Sequence, residues 1–263
     1  MSHPATHDAL LAAMKAAADA ASVVILRYFN GLYQLTTSEK GKADFVSSAD
    51  LESEQTIRQV LDGCFPQSRF LMEEAGSVES ASALRWIVDP IDGTANFIRG
   101  FPFFSVSIAA EVGGSVVAGL VHDPLRGETF TAAQGQGACL NGAPIAPSTV
   151  TEPRRAVISS GLPYKSQPDF PHFLSASNRL MDDGVTMRRT GSAALDLCYT
   201  AAGRLDGHFA VGLSPWDVSA GIIICREAGV TVDEQTGNGR FATGAMLSAN
   251  PTLYAKLALL VAG

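Results

Sequence analysis

Asp89 and Asp92 close an apolar run, Trp86-Ile87-Val88, with Pro90-Ile91 between them and Gly93-Thr94 behind. A buried strand ending there concentrates negative charge in one place. Neighbouring carboxylates push each other's pKa upward unless a cation lies between them. A hard cation with oxygen ligands, Mg²⁺ above all, relieves that conflict. Gly93 allows the backbone to approach a ligand closely, and Thr94 adds a hydroxyl beside the metal. The segment reads as a metal site with a phosphate pocket attached. Three more acidic positions stand at element ends: Asp50, Glu73-Glu74 and Asp217. Taken singly, Asp50 and Asp217 also fit acids in a helix first turn, favoured by the helix dipole. Glu73-Glu74 alone fits a solvated loop pair.

The elements that must position these groups follow from pattern. Leu10, Leu11, Met14, Ala17, Ala18, Ala21 and Val24 recur at helical spacing and predict one amphipathic helix. The stretch 40–50 predicts a turn or short hairpin. A second helix is expected from Asp50 to Cys64, with Ile57, Leu61 and Cys64 on one face and Phe65-Pro66 ending it. Phe70–Glu74 reads as a short strand ending in two acids, and Gly76–Ala83 as a mobile surface loop. Ser105–Val112, Ser115–Asp123 and Glu128–Ala132 predict an antiparallel meander, turned by Gly113-Gly114 and 124–127. Asn141-Gly142 marks a further turn. The second half alternates: strands at Ala156–Ser160, Met187–Arg189 and Leu205–Val211, helices at Phe170–Asp182, Ser192–Ala202, Pro215–Ala228 and from Pro251. Such alternation implies layered α/β packing. The polar stretch Pro144–Pro153 is the expected boundary between halves 1–145 and 146–263. The first carries the antiparallel sheet and most acids; the second supplies Asp217.

The net charge of −7 argues against a nucleic-acid footprint, which needs a basic stripe. Asp8, Lys15 and Asp19 interrupt the first apolar stretch, so neither a signal peptide nor a membrane span is expected. Cys64, Cys139, Cys198 and Cys225 show no Cys-x-x-Cys spacing and read as buried free thiols of a cytoplasmic protein.

Together the acidic segments resemble the inositol monophosphatase family over nearly the whole chain. Glu73-Glu74 matches its Glu-Glu pair, Asp89–Thr94 its Asp-Pro-Ile-Asp-Gly-Thr block, and Trp216–Gly221 its Trp-Asp-x-x-Ala-Gly block. Lys40, Asp44, Val46 and Asp50 match a Lys-x-x-x-Asp-x-Val-x-x-x-Asp run, and Gly191–Ala194 a Gly-Ser-Ala-Ala turn. The resemblance implies the five-layer αβαβα sandwich of sugar phosphatases, commonly a homodimer. It implies hydrolysis of a small phosphate monoester with two to three Mg²⁺ ions, and sensitivity to lithium. Glu73, Asp89 and the carbonyl of Ile91 would hold the first ion; Asp89, Asp92 and Asp217 the second; Glu73 and waters a weaker third. Thr94, oriented by Asp50, would act with Glu73 on the attacking water. Asp92, Gly93, Thr94, Gly191, Ser192, Ala193 and Asp217 would bind substrate, and Lys40 is a candidate electrostatic helper.

One departure matters. Seven residues before the helix aspartate, animal relatives carry a glutamate that contacts inositol hydroxyls; here that position is Ala210. Inositol 1-phosphate stays the first expected substrate, with histidinol phosphate next and bisphosphorylated substrates after it. His208 fits a solvated strand residue, or a replacement substrate contact, and His122 a role in its hairpin. A different class of role, binding to the transcription machinery, is implied by some bacterial relatives and would not need the acids.

Overall fold

The computed structural model describes residues 6–32, 35–41, 44–161, 170–233 and 246–263. The first half runs α1 (His7–Asn30), β1 (Thr37–Gly41), β2 (Asp44–Ser47), α2 (Ser48–Cys64), β3 (Arg69–Met72), β4 (Gly76–Val78), β5 (Leu84–Asp92), α3 (Thr94–Phe97), β6 (Ser105–Val112), β7 (Ser115–Asp123), β8 (Glu128–Ala133), β9 (Ala138–Leu140) and β10 (Ala143–Pro144). Then follow β11 (Val157–Gly161), α4 (Phe170–Asp182), β12 (Thr186–Arg188), α5 (Ala193–Ala201), β13 (Gly207–Ala210), α6 (Pro215–Glu227), β14 (Thr231–Val232), β15 (Met246–Ala249) and α7 (Pro251–Ala262).

These elements stack in five layers. Helices α1 and α2 pack together on one face of an eight-stranded sheet, ordered β10-β9-β8-β7-β6-β5-β3-β4. Helices α5 and α6 fill the space between that sheet and a second one, ordered β12-β11-β13-β15-β14. Helices α4 and α7 close the far side, with Phe173, Leu180, Leu253 and Leu257 packed on Ile158, Phe209 and Leu247. The first sheet is antiparallel except where β3 runs parallel to β5; in the second, β12, β11 and β13 are parallel. Strands β5 and β6 are buried almost throughout because helices cover both faces, and Trp86, Ile108 and Phe104 are fully enclosed. Each such side chain contributes about 1.5–3 kcal/mol by leaving water.

The expected elements are present, with local differences. Helix α1 buries Leu10, Met14, Ala17, Ala18, Ala21 and Ile25 in one stripe, and Thr6 caps it by accepting the Ala9 N–H at 3.3 Å. Contrary to expectation, its length and apolar composition suffice to cross a membrane. Its alanines raise apolarity throughout, but the stripe is covered by α2 and the sheet. Cys64 is exposed and Cys139 half-buried, so only Cys198 and Cys225 fit the buried reading; all four thiols are free. Part of the anticipated loop after Glu74 pairs as β4 against β3. Strands β14 and β15 have no counterpart in the sequence reading: each is short, and they are organised by pairing of β15 with β13 and of β14 with β15. The side chain of Lys40 lies outside the described residues.

Helix α6 sits unusually close to β7. A Cβ at Gly119 would stand 2.6 Å from Ile223 Cγ2 and 2.9 Å from the Ala220 carbonyl oxygen. Backbone cannot yield as a side-chain tip does. Gly119→Ala should therefore lower stability by about 1–3 kcal/mol through overpacking, read as a lower midpoint in urea unfolding. An unchanged midpoint would show that α6 can lift from the sheet at no cost.

Candidate active site

The carboxylates converge where β5 ends. In a regular strand, residues three apart face opposite sides. Here Asp89 pairs with Ser107 and Asp92 with Ser105, so one extra residue is inserted on β5. This bulge resets the alternation and turns both acids toward one side. Asp89 Oδ1 accepts the Ile91 N–H at 3.0 Å, bending the chain across Pro90. Gly93 then takes φ +104°, and a Cβ there would meet the Phe103 and Gly191 carbonyl oxygens at 3.1 Å. Only glycine combines that φ with that closeness.

Asp50 and Asp217 arrive as helix-capping acids, so the simple first-turn reading of each is correct as far as it goes. Asp50 Oδ2 accepts the Ser47 N–H at 2.8 Å in a reciprocal capping box at the start of α2. Its other oxygen, Oδ1, lies 3.0 Å from Thr94 Oγ1. That hydroxyl is also 3.1 Å from the Ile91 carbonyl oxygen, one proton facing two acceptors. Asp217 Oδ2 likewise accepts the Ser214 N–H at 2.7 Å at the start of α6. Ser107 Oγ donates to the Trp216 carbonyl oxygen at 3.2 Å and fixes that helix end beside β6.

Asp92 is held from the middle layer. Ser192 Oγ donates to its Oδ2 at 2.6 Å and the Ala194 N–H at 2.7 Å. The turn Gly191–Ala193 thus lies against the Asp92–Thr94 segment, and Asn96 Nδ2 ties them by donating to the Thr190 and Phe103 carbonyl oxygens at 2.8 and 2.7 Å.

Glu73 follows β3 directly, half-buried, its N–H donating to the Val88 carbonyl oxygen at 3.2 Å. The residue that fixes this turn escaped the sequence reading. Glu54 on α2 accepts the Glu74 and Ala75 N–H groups at 2.8 and 2.9 Å. Glu54 is buried, and a buried acid four residues beyond Asp50, on the same helix face, was the available signal.

The electrostatics follow from burial. Asp89 is pushed well above the ordinary carboxylate range by desolvation first, then by the charges of Glu73, Asp92, Asp217 and Asp50. Burial raises Asp50 to about 6 against the hydrogen bonds of Ser47 and Thr94 that lower it. Asp92 also reaches about 6 by burial, opposed by Ser192, Ala194 and Ala193. Among the described residues, no three His, Cys, Asp or Glu side chains stand close enough to form a ready-made metal cage. The donor set nonetheless suits Mg²⁺: every candidate ligand is oxygen, and the charge on Asp89 has no cation described against it.

Two histidines take structural places. His122 Nδ1 meets Thr129 Oγ1 at 2.8 Å across the β7–β8 hairpin, as expected. His208 is not solvated: it is fully buried in β13, with Nδ1 2.9 Å from Ser159 Oγ. Ala210, two residues on, is also fully buried, and its Cβ stands 3.0 Å from where a Gly161 Cβ would be.

A model of the inositol monophosphatase family matches residues 6–262. Nus factor SuhB of Escherichia coli (strain K12) is 38% identical over 251 residues, 95% of this chain and 92% of that protein. The crystal structure of extragenic suppressor protein suhB from Bartonella henselae superimposes with a TM-score of 0.90 at 39% identity, over 96% of this chain and 98% of the other. Inositol monophosphatase from Anabaena (Nostoc) sp. PCC 7120 gives 0.81 at 32%, over 97% and 95%.

The raised carboxylates make a stability prediction. Asp50 and Asp92 have folded pKa values of about 6 against a reference of 3.8, so between those values the folded state binds more protons than the unfolded. Stability of the metal-free protein therefore falls as pH rises through that window, and the cost is complete above it. For Asp50 this amounts to about 3 kcal/mol. Mg²⁺ should raise the thermal midpoint more at about pH 7.5 than at about pH 5. Thermal unfolding with Mg²⁺ or a chelator tests this; equal shifts at both pH values would contradict it.

Proposed function

Because the chain belongs to the inositol monophosphatase family, we propose that it hydrolyses small phosphate monoesters, with inositol 1-phosphate among its substrates, at the site around Asp89. Membership supports a Mg²⁺-dependent phosphatase in general. The observation that carries the reading here is the burial of Asp89 amid the charges of Glu73, Asp92, Asp217 and Asp50. Nothing in packing favours that arrangement; a bound cation would.

Glu73, Asp89 and the Ile91 carbonyl would hold one Mg²⁺, and Asp89, Asp92 and Asp217 a second, with Glu73 also reaching a weaker third. Bound Mg²⁺ supplies a lowered pKa for the attacking water and neutralises charge growing on the leaving oxygen. Thr94 Oγ1 accepts a proton from that water as it passes its own to Asp50 Oδ1. Asp50, held at about 6, is suited to receive it near neutrality. Glu73 orients the water. The backbone of Gly93 and Thr94 and the turn Gly191–Ala193 face the phosphate, with Asp92 and Asp217 beside the alcohol being released.

Ala210 bears on specificity. An alanine accepts no hydrogen bond from a polyol, so a contact of roughly 1.5–3 kcal/mol is missing, about ten- to hundredfold in kcat/KM. Broad specificity follows. A second reading is favoured by the relatives named Nus factor SuhB: a role with the transcription machinery, compatible with catalysis because it need not occupy this site.

Phosphate release across inositol 1-phosphate, histidinol phosphate, sugar phosphates and an aryl phosphate tests the proposal. Asp89→Asn should lower turnover by roughly two orders of magnitude or more, since one ligand would serve two ions. Asp217→Asn should be partly rescued by added Mg²⁺. Lithium should inhibit uncompetitively. Full activity in excess chelator would overturn the reading.

Inositol 1-phosphate should exceed other sugar-like monoesters by no more than about tenfold. Ala210→Glu, which must open a fully buried position to reach substrate, should lower stability while raising kcat/KM for inositol 1-phosphate relative to the aryl ester, which has no hydroxyls to receive the new contact. A thousandfold native preference would mean that another residue supplies it.

A further inference from the structure

Behind the turn that holds Asp92 lies a polar cluster that the proposed chemistry does not use. Asp196, in the first turn of α5, is buried, and its Oδ1 accepts the Thr190 hydroxyl at 2.5 Å. Its Oδ2 is 3.6 Å from His208 Nδ1, beyond hydrogen-bond reach. Ser159 Oγ lies 2.9 Å from the same His208 Nδ1. Ser159 and His208 are register partners on β11 and β13. His208 Nε2 meets no hydrogen-bond partner among the described residues, so the ring's polar contacts all lie on the Asp196 side. Burial raises Asp196 and lowers His208 to about 4, so the imidazole is uncharged at neutral pH and the two are not an ion pair.

Thr190 joins this cluster to the site. Its hydroxyl goes rearward to Asp196, and its carbonyl oxygen accepts Asn96 Nδ2 from the front. Gly191 follows at φ +94°, where a Cβ would stand 2.8 Å from Asn96 Nδ2. Ser192 comes next, the N-cap of α5. Its hydroxyl accepts the Leu195 N–H at 3.4 Å while donating to Asp92. The two donors on Asp92 thus begin two residues from Thr190. Without this tie, the turn before α5 would be placed only by Asn96 and by the acid it is meant to hold.

We propose that Thr190 and Asp196 are positioning residues, which lock the Thr190–Ser192 turn to the first turn of α5 and so fix the donors that orient Asp92. This rests on the phosphatase reading of the same site. It adds that ligand geometry at Asp92 is set from behind the turn, through a hydroxyl–carboxyl contact within the start of α5.

Thr190 is half-buried, so its variants should fold. Thr190→Val keeps the shape and removes the donor; Thr190→Ser restores it. Three quantities are measured: hydrogen exchange of the Ala193 and Ala194 amides in metal-free protein, the Mg²⁺ concentration for half-maximal turnover, and kcat and KM separately. In Thr190→Val, exchange should quicken about fivefold or more, and half-saturating Mg²⁺ should rise by a similar factor. The thermal midpoint should move little. Thr190→Ser should stay within about twofold of the parent in all three. Asp196→Asn, which keeps an acceptor, should resemble Thr190→Ser, and Asp196→Leu should resemble Thr190→Val.

Unchanged exchange and Mg²⁺ dependence in Thr190→Val would overturn the proposal. So would a Thr190→Ser variant as impaired as Thr190→Val. If the parent shows no Mg²⁺-dependent phosphate release, the functional reading fails on its own, while the exchange measurement still judges the positioning claim.

Discussion

Mutual repulsion among buried carboxylates is the constraint on which this structure turns. Asp89 is almost wholly enclosed, and four other acids raise its pKa. Such a group is costly unless hydrogen bonds or a cation compensate it. The fold supplies the first kind of compensation locally. Asp50 and Asp217 each commit an oxygen to a helix N-terminus, and Asp92 draws a hydroxyl and an amide from the start of α5. What is left over is negative charge directed at one place, which a cation of the Mg²⁺ type suits.

That economy explains the layering around the site. Four helices begin there, α2, α5, α6 and the short α3, and helix N-termini favour nearby anions. The middle helices must approach the first sheet closely to bring their first turns alongside β5 and β6. Gly119 permits this for α6, which Ser107 fastens, while Ser105 meets Ser192 at the start of α5. The eight-stranded sheet is therefore the rigid reference, and the acids from other elements are referred to it by hydrogen bonds. Glu54 does the same for the turn carrying Glu73 from the outer layer, and Asp196 for the turn before α5.

Catalysis and a partner role need not compete in such a molecule. Asp50, Asp89 and Asp92 are enclosed between layers, so a partner held on the outer surface would leave them untouched. A protein serving only as a partner would gain nothing from keeping Asp89 buried among like charges.

The sequence by itself determined most elements, because their signals are local. The stripe on α1, the Gly113-Gly114 turn and the capping acids depend on residues a few positions apart. It also singled out acids that the structure gathers around Asp89, since Asp89–Thr94, Glu73-Glu74 and Trp216–Gly221 stand out as blocks. Tertiary structure alone decided how they meet. The bulge that turns Asp89 and Asp92 to one side exists only through pairing with Ser105 and Ser107 on β6. Glu54 reveals its part only when α2 lies against the turn after β3, and His208 becomes a buried partner of Ser159 only when β11 and β13 align. Strands β14 and β15 are too short to be legible without the neighbours that complete their hydrogen bonds. Local periodicity encodes which face of an element is apolar; which polar groups share a buried space is fixed by contacts between residues far apart in the chain.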